Sequence, residues 1–194
     1  MLIHSCSQLV TLTANPQRGG QLGELNIIPD GAVLIEGGTI LETGPSQEML
    51  NRFPHEEKLD AGGRAVIPGL VDAHTHLVWA GDRAAEFEMR LSGRTYMEIM
   101  AAGGGIQSTV NATRAATRTD LLTQTRQRPS TIFAMGTTSA EAKTGYGLSL
   151  EDELKLLEVL LQLDKDGPLE IFPTFLGAHA IPEEFKEEPD AYTE

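Results

Sequence analysis

The stretch Val66-Ile67-Pro68-Gly69-Leu70-Val71-Asp72-Ala73-His74-Thr75-His76-Leu77 limits what this chain can fold into more than any other. It is a short apolar run, entered sharply at Pro68-Gly69 and closed by two histidines one residue apart. In an extended strand residues i and i+2 share a face, so His74 and His76 project together while Thr75 points away. Two imidazoles on one side can share a metal ion. They can equally be hydrogen-bonded neighbours, since a catalytic zinc takes roughly three protein ligands. Leu70 and Val71 read as buried on both faces, and the histidines fall at the C-terminal end of the run. In a parallel barrel that end is where catalytic groups sit.

Upstream, residues 1–67 read as a β-rich portion. A first strand is predicted from Leu2-Ile3 through residues 9–12, and a loop at Asn15-Pro16 and Gly19-Gly20. Residues 32–36 and 39–42 flank Gly37-Gly38, a hairpin signal because both turn positions need positive φ. A short helix is expected over 46–53. Residues 58–60 and 64–67, split by Gly62-Gly63, read as another strand pair. His4 and His55 read as ordinary structural or exposed residues.

Downstream the pattern changes. Residues 77–93 read as a long loop carrying Trp79, Arg83 and several carboxylates, as expected where substrate groups gather. A helix over 95–101 is broken by Gly103-Gly104-Gly105, which lacks the spacing and preceding strand of a dinucleotide fingerprint. That run serves either close backbone approach or a plain hinge. Helices are predicted over 107–116 and 119–135, the second opening with Thr119 as N-cap and kinked or split by Pro129. A strand over 137–142 follows. The next helix opens at Ser149 with Asp152 in the capping-box position and Leu150, Leu154, Leu157 and Leu161 on one stripe. A last strand over 169–176 leads to His179. Alternating strands and helices of this kind make a parallel sheet.

Composition narrows the partners. Fifteen Lys and Arg against 28 Asp and Glu give a net charge of -13, with no basic cluster for phosphate, so nucleic acid is not expected as a partner. No stretch approaches the roughly 18 consecutive apolar residues of a membrane span, so no membrane partner is expected either. The first residues lack the basic start and apolar core of a secretory signal, and the lone Cys6 cannot form an internal disulfide. Both features favour a reducing, cytoplasmic setting. Without a His or Asn at nucleophile spacing, Cys6 reads as a small buried residue of the first strand.

The run ending in His74 and His76 resembles the first barrel strand of the amidohydrolase superfamily, whose members hydrolyse amides or amidines with one or two metal ions. Further stretches narrow the resemblance: Ala80-Gly81-Asp82-Arg83, Glu86-Phe87-Glu88-Met89-Arg90, Tyr96-Met97-Glu98-Ile99-Met100 and Ala102-Gly103-Gly104-Gly105-Ile106. Glu141-Ala142-Lys143-Thr144-Gly145-Tyr146-Gly147 and Phe175-Leu176-Gly177-Ala178-His179 add to it. Together they resemble the imidazolonepropionase family, the ring-opening enzymes of histidine breakdown, over almost the whole chain.

The resemblance implies an α/β fold: a β-rich portion over 1–67 within a composite domain, then, over 68–194, the first part of a (β/α)8 TIM-like barrel, truncated. It implies one zinc or iron ion per subunit with His74 and His76 as metal ligands, a further His and Asp of the family lying on later strands that this sequence does not reach. Such a metal lowers the pKa of a bound water from 15.7 towards roughly 7. The implied reaction hydrolyses the cyclic amide of 4-imidazolone-5-propanoate, a small-molecule substrate, to N-formimidoyl-L-glutamate. Arg83 would hold the propanoate by its planar fork, Tyr146 would be a second substrate contact, and His179 would bind substrate and act catalytically beside the scissile carbonyl. Lys143 does not match the carboxylated lysine of hydantoin and dihydroorotate hydrolases and reads as a structural or supporting residue, and Glu141 stays open between such roles. Read alone, Arg83 is a solvated loop charge, Tyr146 loop packing and His179 a buried structural histidine. The full-length chain is expected to be a homodimer, and the 194 residues alone to be inactive. The alternatives are another cyclic-amide hydrolase or aminohydrolase, or a non-catalytic amidohydrolase-like interaction module.

Overall fold

The computed structural model describes residues 1–12 and 17–193; the turn predicted at Asn15-Pro16 lies outside them. The chain divides into two compact units, Met1–Pro68 and Gly69–Glu194.

The first unit holds β1 (Leu2–Val10), β2 (Ile27–Glu36), β3 (Thr39–Pro45), α1 (Ser46–Arg52) and β4 (Lys58–Asp60). Its sheet runs in the order β3-β2-β1-β4, antiparallel except for the β1/β4 pair. Gly37 and Gly38 take φ of 57° and 80°, as the hairpin between β2 and β3 requires. The strand pair predicted across Gly62-Gly63 does not form. β4 aligns parallel with β1, and beyond the turn Val66 aligns parallel with Leu9 of the same strand. The turn therefore offsets the chain without reversing it. Asp60 accepts the Gly62 N–H at 2.8 Å, and β1 then supplies the partners a hairpin would have given: Ser7 N–H to Arg64 O and Val66 N–H to Gln8 O. Leu2, Ala32, Leu34 and Met49 form one core of this unit, and Cys6, Leu9 and Val33 another. Burial pushes the Cys6 thiol up, with Asp30 and Asp60 adding to it.

The second unit contains β5 (Leu70–Thr75), α2 (Ala84–Leu91), α3 (Tyr96–Ala101), α4 (Ile106–Ala115), α5 (Arg118–Thr125) and α6 (Gln127–Ala134). β6 (Thr137–Lys143), α7 (Leu150–Asp166), β7 (Glu170–Thr174) and α8 (Pro189–Thr193) follow. The sheet is parallel throughout, in the order β5-β6-β7. Residues 77–93 are not all loop, because α2 occupies their second half. The helix expected over 119–135 divides at Arg126, three residues ahead of Pro129. Proline has no N–H to offer the carbonyl four residues back, so the ladder stops there. Its N-cap is Thr117, in a reciprocal capping box with Asp120, and not Thr119.

α7 opens at Ser149, whose hydroxyl accepts the Asp152 N–H as expected. Its buried face is another matter. Leu156, Val159, Leu160 and Leu163 pack against Ala140 and Ala142 of β6 and Ile171 of β7, whereas Leu150 is 71% exposed. Both leucine sets have helical spacing, and contact with the sheet chooses between them. Leu70 and Val71, expected to be buried on both faces, are 51% and 71% exposed within these 194 residues, where among the described residues β5 is bonded only to β6. Among the described residues, no helix is long and apolar enough to cross a membrane.

The choice of face predicts that Leu160→Ala destabilises by about 2–5 kcal/mol, the usual cost of a core cavity. The neighbouring Leu161→Ala should stay within about 0.5 kcal/mol, as surface changes do. Chemical denaturation of both variants checks this, and equal losses would contradict the packing of α7.

Candidate active site

Three strands running the same way bring their C-terminal ends to one edge of the sheet, with Thr75 opposite Ala142 and Lys143 opposite Thr174. His74 lies within β5 and His76 one residue beyond it. Their ring centroids are 6.0 Å apart. The His76 ring lies 4.8 Å from that of Tyr146, which follows β6, and 4.9 Å from that of His179, which follows β7. Tyr146 and His179 meet edge-on at 5.8 Å. Residues drawn from three separate strand exits thus form one aromatic cluster. Tyr146 also lines a cavity of about 350 Å³ together with Arg83, Trp79, Asp82 and Thr109.

His76 is half-buried, and its Nδ1 is buried without a hydrogen-bond partner. Burial holds its pKa below the ordinary 6.5, with His179 and His74 adding to the effect, so the ring favours the neutral form that a metal needs. Among the described residues no three His, Cys, Asp or Glu side chains gather closely enough to hold a metal. What the strand ends present is a two-imidazole donor set with one buried nitrogen uncommitted, a donor chemistry that fits a transition metal.

Glu141 and Lys143 alternate with Ala140 and Ala142 along β6, so they turn away from the helix-packed face. Their side chains pair with each other. Burial pushes the Glu141 carboxyl up, but Lys143 and Thr174 outweigh it and the group stays below the usual carboxylate range. The Lys143 ammonium is thereby engaged with Glu141.

Several charged side chains that the motifs did not single out hold these loops. Glu153, only 1% exposed in the first turns of α7, accepts the N–H groups of Gly145, Gly147 and Leu148, each at 2.7 Å. Arg114 takes the other side of the same loop, donating to the carbonyls of Gly147 at 2.5 Å and Leu148 at 2.8 Å. Tyr146 is presented from a loop gripped on both its donor and its acceptor sides. Gly145, at φ 114°, lets His179 close in: a Cβ there would meet the His179 Cβ at 2.9 Å. Thr144 ties the β6 and β7 exits together by accepting the Leu176 N–H at 2.9 Å. Beyond His76, Arg128 stacks over Trp79 at 3.6 Å and donates to the carbonyls of Leu77 and Trp79. Arg83, at the N-terminus of α2, donates to Glu86, whose second oxygen accepts the Gly105 N–H at 2.9 Å. Apolar periodicity could not reveal these residues. Only the charge three residues after Arg83, within a motif of the resemblance, was visible in advance.

Residues 31–55 match the imidazolonepropionase-like composite domain of bacteria. The chain is 52% identical, over 99% of its length, to an imidazolonepropionase of Chloroflexus aggregans, and 50% identical, again over 99%, to one of Brevibacillus brevis. It spans 45% and 47% of the length of these curated relatives. Among solved structures, E. coli guanine deaminase aligns with a TM-score of 0.55 at 15% identity, covering 89% of this chain and 35% of that one, a likeness of fold alone. Along its whole length, with about half its residues identical, the chain is similar to a stretch of somewhat under half of these imidazolonepropionases.

Proposed function

We propose that this chain supplies the substrate-binding half of a metal-dependent active site that hydrolyses the cyclic amide of 4-imidazolone-5-propanoate to N-formimidoyl-L-glutamate. The observation that carries the reading is the meeting of His74, His76, Tyr146 and His179 at one sheet edge, with Tyr146 and Arg83 lining one cavity. Residues 68–194 are read as the opening βα units of a (β/α)8 barrel and residues 1–67 as part of its composite domain. A cytoplasmic setting belongs to the same reading, supported by the single unpaired Cys6.

Each residue then has a task. Arg83 binds the propanoate, its fork matched to a carboxylate, and the Tyr146 hydroxyl donates a second hydrogen bond from the same cavity. His179 donates an imidazole N–H to the ring carbonyl oxygen, where charge develops as the amide is attacked. His74 and His76 would hold the zinc or iron, two of the roughly three protein ligands that a catalytic zinc takes. The ion when bound acidifies a water, lowering its pKa from 15.7 towards roughly 7.

Three outcomes test this reading in protein of the relatives' full length. Metal-loaded protein should consume the imidazolone, followed by its absorbance, and form N-formimidoyl-L-glutamate. Turnover should stop on chelation and return with metal, and a metal-loaded protein without turnover would sink the reading. His74→Ala and His76→Ala should each lose the ion by elemental analysis while circular dichroism is unchanged; undiminished metal in either variant would count against its assignment. Arg83→Ala should weaken the acid substrate by about 1.5–3 kcal/mol, the worth of a hydrogen bond to a charged group, and leave an imidazolone without the carboxylate almost unaffected. Equal losses for both compounds would move Arg83 out of substrate binding.

A further inference from the structure

Glu86 and Glu153 are the buried carboxylates among the described residues. Glu153 grips backbone amides only. Glu86 grips a side chain as well. One of its oxygens accepts from Arg83 and the other takes the Gly105 N–H, 19 residues along the chain. An ion pair three residues apart at a helix start is usually a solvated surface feature that does little. Here the Glu86 side chain is only 10% exposed, against 42% for Arg83, so the acid is fixed and the base reaches it from solvent. The glycine run passes close to that acid: a Cβ on Gly104 would meet Ile99 first, its Cγ2 at 2.7 Å, and would stand 3.0 Å from the Glu86 Cδ. Arg83 and then Gly105 hold the Glu86 carboxyl below its usual range against the opposing effect of burial. It stays an acceptor for both partners across the neutral pH range.

Arg83 has five N–H donors and a long, mobile stem. Anchoring one edge on Glu86 leaves other donors free for the cavity shared with Tyr146. The cost is partial neutralisation of the positive charge; the gain is a fork already aimed, and binding that starts from an ordered group loses less on association. We propose that Glu86 is a positioning residue, which holds the Arg83 fork toward the Tyr146 cavity from its seat on the Gly105 amide and so sets the preference for a substrate bearing a carboxylate. This rests on the reading of Arg83 as the carboxylate contact.

The experiment uses Glu86→Gln, Glu86→Asp and the exposed control Glu88→Gln in metal-loaded protein of full length. For 4-imidazolone-5-propanoate, Glu86→Gln should raise KM by roughly 10-fold or more with kcat within about 2-fold, as expected for loss of an ordered charged contact. The imidazolone without a carboxylate should keep its KM, and Glu88→Gln should match the parent for both compounds. Glu86→Asp, which keeps the charge but shortens the reach, should show the same split to a smaller degree, and it carries the test if Glu86→Gln does not fold. A lowered KM would mean that Glu86 only masks the Arg83 charge, and equal losses for both compounds would mean a purely structural role; either result overturns the proposal. A second readout needs no turnover. The Arg83 Nε–H resonance should be sharp in the parent and broadened in Glu86→Gln, and binding of propanoate followed by NMR should weaken by roughly 5-fold or more. If the parent fails to turn over either imidazolone, the proposed function fails, and this pair of measurements still decides the role of Glu86: an unchanged resonance with unchanged propanoate binding overturns it.

Discussion

Parallel strands impose a direction on everything that leaves them. β5, β6 and β7 all run one way, so each exits at the same end of the sheet, and side chains far apart in sequence are brought together there. His76, Tyr146 and His179 each follow a different strand, and their rings gather because the sheet leaves their loops no other place to go. The alternation within β6 serves the same end. Ala140 and Ala142 share the apolar core with the buried face of α7, and the alternation of the strand puts Glu141 and Lys143 on its other side.

A meeting place is not yet a site, because loops carry backbone groups that need partners and side chains that need fixed directions. Here buried or half-buried charges do that holding. Glu153 and Arg114 close on residues 145–148 from opposite sides, and Arg128 fastens the backbone just past His76. Glu86 joins the start of α2 to the glycine run. A buried carboxylate is costly without partners, and each of these acids has its oxygens taken by N–H groups. Among the described residues two side-chain atoms differ: the His76 Nδ1, just past β5, and one oxygen of Glu141, within β6, are buried without hydrogen-bond partners.

Much of this was legible in the chain itself. Local signals that act over a few residues came through: the Gly37-Gly38 hairpin, the Ser149 cap, the break near Pro129 and the alternation of strand and helix past residue 68. The proposed site residues were legible through motifs, and the structure gathers them at one end of the second unit. What misled was any question of facing. Two apolar sets on α7 both have helical spacing, and periodicity cannot say which one meets a sheet. Leu70 and Val71 read as doubly buried because an apolar run carries no mark of edge or centre.

The sequence alone therefore determined the Gly37-Gly38 hairpin, the Ser149 cap and the break near Pro129, since caps, glycine turns and proline breaks are short-range chemistry. It also determined the identity of the histidines, tyrosine and arginine assigned to the site, since their residue types limit what they can bind. Only the tertiary structure decided which face of α7 is buried, that residues 64–67 run beside β1 instead of pairing with β4, and that Glu86 and Glu153 serve as anchors. Those outcomes depend on partners distant in sequence. A carboxylate becomes a clamp only when the fold buries it and brings amide N–H groups within about 2.7–2.9 Å.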